Sequence, residues 1–291
     1  MEGALRGWLE QATGAKRIDR LERIQSLWGG YGELYRAHLT GAAVETAIVK
    51  WVRPPARRGG DASHRRKCRS YDVETAFYRV YASRCGDEAR VATAFGQRAR
   101  ENEWLLALED LDAAGYPRRI RDPRGAELEA CLAWLAAFHA RFMSTSPDGL
   151  WSEGTYWHLA TRQDELEAIR GTALFDRAPE LDRRLRQAHH RSFVHGDAKP
   201  ANFCFSADGR RVAAVDFQYV GGGSGMRDVA YLLHGSASGA AERRALDFYF
   251  EHLRASLAPL PFDAVGVEEE WRELYAAAGS DFDRFLAGWR M

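Results

Sequence analysis

The sequence predicts an α+β fold in two lobes, a small β-rich N-lobe followed by a larger, mainly helical C-lobe. Three observations carry that expectation. Residues 1–108 contain β-branched and alternating runs around one helical period. Residues 109–113, "EDLDA", form a short acidic joint, the hinge. From 114 to 291 long amphipathic periods dominate.

The elements follow in order. The opening "MEGALRGWLEQATGAK" carries charges through its apolar positions and lacks the continuous apolar core of a signal peptide. "LWGGYGELYRAHL" (27–39) is a glycine-punctuated turn running into an alternating strand, and "ETAIVKWV" (45–52) is a β-branched strand. "RPPARRGGDASHRRKCRS" (53–70), rich in Pro, Gly and Arg, is expected to be a loop whose basic run, 53–69, is solvated or, less readily, meets an acidic substrate. "YDVETAFYRVYASR" (71–84) places apolar residues at 73, 77, 80 and 81, a helical period. "ARVATAFG" and "EWLLALEDL" suggest two further strands. "ELEACLAWLAAFHARFM" (127–143) is a strongly periodic buried helix, and "DELEAIRGTALF" and "ELDRRLRQAHHR" continue helical. Short strands are expected between 192 and 218, then helices through "EEEWRELYAAAGSDFDRFLAGW".

Bulk composition excludes several classes. With 291 residues, 46% hydrophobic and 28% charged, the chain is ordinary globular material. Acidic and basic residues balance at 41 each, so no net field draws it to nucleic acid or anionic lipid. Cys68, Cys85, Cys131 and Cys204 lack CxxC spacing and read as free thiols of a reducing compartment. No run approaches the roughly 20 apolar residues of a membrane span. A soluble cytoplasmic protein is the expectation; oligomeric state is not legible. Of the 41 basic residues only four are lysines, at 16, 50, 67 and 199, so each one stands out.

The chemistry concentrates around "HGDAKPAN" (195–202) and the hairpin "FCFSADGRRVAAVDF" that follows it. A three-residue loop, Ala207-Asp208-Gly209 with Gly209 left-handed, would set Asn202 opposite Ala214. Asp216 would then lie on the same face, a diagonal of roughly 7–8 Å away. One hard cation could be held by both side chains, Asp216 giving a charged oxygen and Asn202 a neutral one. Magnesium fits that pair, with phosphates and water completing its octahedron. Asp197, just upstream, is left to accept a proton from an attacking hydroxyl.

His195-Gly196-Asp197, four residues, then Asn202, followed by Asp216-Phe217, resembles the kinase catalytic loop H-R-D-x-x-x-x-N and the D-F-G metal motif. Gly196 replaces the Arg and Gln218 the last Gly. That variant is similar to the aminoglycoside phosphotransferase and choline kinase branch of the kinase-like superfamily. "VHGDAKPANFCF", "VDFQYVGGGSGMRDVAYLL" and "HRRKCRSYDVETAFY" look like its ecdysteroid-kinase-like members. The resemblance extends from about residue 26 to the C-terminus. It implies a bilobal protein-kinase-like fold, ATP and Mg²⁺ as cofactors, and a small-molecule hydroxyl as acceptor: an alcohol, sterol, amino alcohol or antibiotic.

The resemblance also implies that a strand lysine, Lys50, pairs with a helix glutamate, Glu74, to hold nucleotide phosphates. Gly30 and Gly32 in "WGGYGEL" would let backbone amides approach them, although the full G-x-G-x-x-G is missing. Adenine would lie at the joint, bonded to backbone from Glu109 to Leu111. No Walker-A motif occurs, which argues against P-loop enzymes. His195 is expected to be structural, and Lys199 either approaches the phosphate or is solvated. Asp228 reads as a helix cap; the resemblance adds a brace for the catalytic loop. Gly221, Gly222, Gly223 and Gly225 read as a flexible connection. The aromatics of "LWSEGTYWHL" and "EEEWRELYAAAG" either line an acceptor pocket or pack in the core, the latter favoured by 12% aromatic content. Two rivals stand beside this reading. A protein kinase is disfavoured by the short 216–228 segment and the missing A-P-E; a non-catalytic nucleotide-binding module is disfavoured by the intact Asp, Asn, Asp and Lys set.

Overall fold

The computed structural model describes residues 2–55, 62–235 and 238–290. Its first part is a five-stranded antiparallel sheet in the order β1-β2-β3-β5-β4: β1 Arg17–Ser26, β2 Gly32–Thr40, β3 Thr46–Val52, β4 Ala94–Arg100 and β5 Glu103–Glu109. Helix α1, Glu2–Thr13, covers one face and α2, Ala62–Val80, lies on the other. This sandwich explains why "EWLLALE" is apolar almost throughout. Strand side chains alternate, so Leu105 and Ala107 join Leu5 and Leu9 of α1 in one cluster. Leu106 and Leu108 enter a second cluster with Val73 and Phe77 of α2.

That second cluster is the core of the larger, helical part. Its centre is α3, Ala126–Arg141, with Cys131, Leu132, Leu135 and Phe138 buried. Acidic residues in its first turn, Glu127 and Glu129, and basic ones in its last, His139 and Arg141, suit the helix dipole. α7, Gly239–Leu257, packs along α3. α4 Gln163–Ala168, α5 Ala173–Arg186 and α6 Met226–Leu233 pack on α8, Ala264–Trp289. Two small ladders sit between: β6 Ser192–Val194 with β9 Gly221–Gly223, and β7 Phe203–Phe205 with β8 Val212–Ala214. The architecture is the expected one, a small antiparallel sheet region and a larger helical part.

Several details differ from expectation. Residues 62–70 are not loop: α2 begins at Ala62, because the stretch from Ala62 on carries no Pro or Gly to break a helix. The remainder of the expected basic loop, residues 56–61, lies outside the described residues. α1 and β1 were hidden by charges scattered along their apolar positions, and β4 starts at Ala94 instead of Ala89. The glycines 221–223 are a buried strand rather than a flexible connection. A Cβ on Gly221 would stand 2.1 Å from the Trp151 carbonyl oxygen, so only glycine permits this approach. All four cysteines are free. Among the described residues no helix is long and apolar enough to cross a membrane.

Candidate active site

Lys50 projects from β3, with 6% of its surface exposed, and donates to both Glu74 oxygens at 3.0 and 2.7 Å. Glu74, 2% exposed, faces it from α2. Lys50 donates as well to Asp216 Oδ1 at 3.0 Å. Burial works against the ammonium, yet Asp216 and Glu74 outweigh it and push the Lys50 pKa up, so the charge is fixed.

The hairpin register differs by one residue from expectation. Phe203, not Asn202, pairs with Ala214, and the Ser206 N–H bonds the Arg211 carbonyl, closing a loop over residues 207–210. In this register Asn202 meets Val215, whose N–H donates to the Asn202 carbonyl at 2.9 Å. An extended Asp216 would then point to the opposite face. Instead Asp216 is left-handed, with φ 70°, which takes it out of the strand and turns its side chain back to Lys50. Such a backbone outlier in a non-glycine residue marks a position held by its surroundings. Phe217 stacks on Phe77 at 4.0 Å, and Gln218 donates to Asp216 Oδ1 at 2.8 Å while accepting from Ser70 on α2 at 3.1 Å. Both bonds to Asp216 therefore fall on Oδ1, and its side chain is 35% exposed.

Asp197 is held from several directions. Its Oδ2 accepts from Lys199 Nζ at 2.8 Å and Asn202 Nδ2 at 3.0 Å; its Oδ1 accepts from the Tyr231 hydroxyl at 3.3 Å. Tyr231 in turn accepts from the Tyr156 hydroxyl at 3.4 Å. Burial pushes the Asp197 pKa up, Lys199 opposes it and Asp216 adds to it. For Asp216 burial has the same sign, but Lys50 overrides it and holds the carboxyl below its usual range. Two neighbouring carboxylates are thus driven apart, one toward proton exchange and one toward permanent charge. Asn202 turns its amide nitrogen to Asp197, which leaves Oδ1 on the other branch as its acceptor.

The loop backbone is clamped from below. The buried Asp228 carboxylate accepts from the His195 N–H at 2.5 Å and the Gly196 N–H at 2.9 Å, and His139 Nε2 meets it at 3.1 Å. Asp228 makes no cap bond on α6, so it braces the loop instead of capping the helix. His195 is structural: Nδ1 accepts the Asp197 N–H at 3.3 Å and Nε2 meets the Val215 carbonyl at 3.0 Å. Gly196 has φ +79° and a Cβ there would lie 2.1 Å from the Tyr219 carbonyl oxygen, which accounts for glycine between His and Asp.

The remaining expected residues lie apart from this group. Gly30 and Gly32 line a hollow with Ser26, Glu33 and Arg53 at the β1–β2 turn. Leu34 pairs with Lys50, so Gly32 lies two residues before that pair, at the start of β2 opposite Val52. At the joint, the Glu109 carboxylate is occupied by Arg90, the Glu109 N–H bonds the Thr93 carbonyl, and the Leu111 carbonyl accepts from the Tyr116 N–H. Trp271, expected as a possible pocket aromatic, is fully buried, whereas Tyr156 belongs to the Asp197 side. Sequence reasoning missed Tyr231, Gln218 and Ser70. Only Gln218, in place of the last motif glycine, carried a signal.

No set of three or more His, Cys, Asp or Glu among the described residues is placed to hold a metal unaided. Asp216 and Asn202 could instead offer one charged and one neutral oxygen, a sparse donor set that would suit a magnesium ion whose other ligands are phosphate and water.

The fold is shared with known structures. An aminoglycoside-3'-phosphotransferase of type VIII matches with a TM-score of 0.52 at 15% identity, covering 98% of this chain and 97% of that one. A microcompartment-associated aminopropanol kinase matches with 0.54 at 14%, covering 97% and 94%. A thermostable mutant of aminoglycoside phosphotransferase APH(4)-Ia, in a ternary complex with AMP-PNP and hygromycin B, matches with 0.52 at 13%, covering 98% of each chain. No curated protein matches the sequence. Residues 57–260, which contain the helix glutamate, the Asp197 loop and Asp216, match the phosphotransferase enzyme family, APH, and the chain belongs to it.

Proposed function

We propose that the protein is a kinase that transfers the γ-phosphoryl group of ATP to a hydroxyl group of a small molecule. The observation that carries this reading is the pair of carboxylates with opposite protonation tendencies, Asp197 and Asp216, held with Lys50 and Asn202 in one site. Lys50, locked by Glu74, orients the phosphates as a fixed charge. Asp216 and Asn202 would hold magnesium, which when bound offsets charge on the phosphate oxygens. Asp197 positions the acceptor hydroxyl and takes its proton as the new O–P bond forms and ADP leaves. Lys199 and Tyr231 keep that carboxylate aimed. At the joint, the purine is assigned to backbone from Glu109 to Leu111, where the Glu109 N–H and the Leu111 carbonyl are already bonded within the chain. Catalysis here is positioning and charge stabilisation, with no covalent intermediate.

A small-molecule acceptor is favoured over a protein. Between Asp216 and Asp228 the chain is consumed by β9 and the start of α6, leaving no length for an activation segment. The relatives in the same fold are named for aminoglycosides and aminopropanol. Resemblance to ecdysteroid-kinase-like members extends the candidate acceptors to sterols. An ATP-consumption screen across hydroxylated amines, sugars, sterols and antibiotics tests the proposal, with Asp197→Ala as control. The variant is expected to bind ATP with magnesium as tightly as the parent and to lose about 10²–10⁴-fold in turnover, the range of a general base. Undiminished turnover in that variant would remove Asp197 from the mechanism.

A further inference from the structure

Three of the four lysines converge on the site just described. Lys50 and Lys199 have carboxylate partners, Asp216 with Glu74 and Asp197. Lys67 does not. It lies one turn before Tyr71 and two before Glu74 on α2, so the three share the helix face turned to Lys50. Its Nζ stands 5.2 Å from the Tyr31 ring centroid and 5.6 Å from that of Trp28. Both aromatics belong to the β1–β2 turn, and Trp28 is 76% exposed there. Among the described residues no carboxylate or carbonyl oxygen accepts a hydrogen bond from the Lys67 ammonium; aromatic faces hold it.

A half-buried ammonium without an anion is costly unless a ligand supplies one. Burial lowers the Lys67 pKa to about 8; Asp216 resists that change, and Lys50, Arg66 and Arg162 reinforce it. Those four, Arg66 on its own helix and the others on neighbouring elements, act on it together with the Tyr31 and Trp28 rings of the turn. The set is rich in positive charge, with Asp216 the one carboxylate among those four. A polyphosphate entering beneath the turn would supply the missing negative charge.

We propose that Lys67 is a second phosphate-binding lysine, which closes over the terminal phosphate of the nucleotide together with the Trp28 and Tyr31 rings. The inference rests on the kinase reading and deepens it: Lys50 fixes the phosphates from the sheet side, Lys67 from the helix side. A compact ammonium on a flexible stem suits a group that is fixed in one step and transferred in the next. That is consistent with lysine appearing here in a chain whose basic residues are otherwise almost all arginine.

Binding of ATP, ADP and AMP, each with magnesium, to the full chain and to Lys67→Met and Lys67→Arg provides the test. Calorimetry gives the dissociation constants and thermal melts report the fold. Methionine keeps an unbranched stem against Trp28 and Tyr31 but removes the charge. The expected result is ATP affinity weakened about tenfold or more, one lost charge-assisted bond, with AMP changed by less than about twofold. ADP falls between, and Lys67→Arg retains most of the preference for ATP. Unchanged ATP affinity, or an equal loss for all three nucleotides, overturns the role of Lys67 while leaving the kinase reading intact. If the parent protein binds none of the three, both fall together. Should Lys67→Met fail to fold, Lys67→Gln carries the same comparison.

Discussion

The two sides of the site are built on different principles. On the Lys50 side, charge meets charge: Lys50 donates to Glu74 and Asp216 over 2.7–3.0 Å, which holds Lys50 and Asp216 ionised, while burial pushes Glu74 up to about 7. On the Asp197 side one oxygen faces Lys199 and Asn202 while the other faces a chain of two tyrosine hydroxyls, Tyr231 and Tyr156, at 3.3 and 3.4 Å. The first arrangement suits groups whose charge must not change during a reaction. The second leaves a carboxylate free to gain and lose a proton. A phosphoryl transfer needs both, and the chain separates them between its sheet and its helices.

The contrast can be broken at its strongest point first. Asp216→Asn removes the fixed negative charge, and turnover is expected to fall by about 10³-fold or more and to stop responding to magnesium. A magnesium titration of the variant checks this; a normal titration curve would move the metal site elsewhere. Next comes Lys50→Met, which leaves Glu74 buried without its partner. Breaking such a buried pair costs about 3–5 kcal/mol of stability, read as a lower denaturation midpoint. Adding Glu74→Gln to it should restore part of the stability and none of the turnover.

The smallest expected effect sharpens the other side. Tyr231→Phe removes a donor that favours the Asp197 carboxylate. Asp197 already lies above the usual carboxylate range because of its burial, so losing that bond raises it further. The base works only when ionised. The acid limb of the pH–rate profile should therefore shift to higher pH, with turnover at high pH reduced only a few-fold, about the worth of one hydrogen bond. Asp216, held below its usual range, contributes no limb in that interval. A profile superimposable on the parent would show that Tyr231 serves packing alone.

Much of this was legible in the sequence, and the reasons for the rest are local. Spacing within "HGDAKPAN" and the Asp-Phe pair reported the loop, because Asp197, Asn202 and Asp216 sit close along the chain. Lys50 stood out through composition, whereas Glu74 was reached only through the family resemblance. The hairpin register was read one residue off, since loops over residues 207–209 and 207–210 accommodate the same left-handed Gly209. The error was hidden by Asp216, whose own left-handed backbone no periodicity reveals. α2 was started too late because Arg- and Lys-rich turns resemble solvent-exposed loop, and Lys67 was lost with them. Tyr231 lies on a helix far from Asp197 in sequence, and nothing in "DVAYLL" distinguishes a site tyrosine from a core one.

Helix α2 has a divided allegiance. Phe77 and Val73 are embedded among the helical part's aromatic residues, with Phe77 stacked on Phe217, while Glu74 one turn away grips a lysine of the sheet. The sheet's other cluster, under α1, shares no residue with that larger core. α2 is therefore tied to both parts at once, by its aromatic bed on one side and the ammonium–glutamate link on the other. The ammonium–glutamate link is not alone in this: Leu106 and Leu108 of β5 pack on the same helix and the Trp104 indole N–H donates to Asp72 at 2.8 Å, so the helix is stitched to the sheet by apolar as well as ionic contacts.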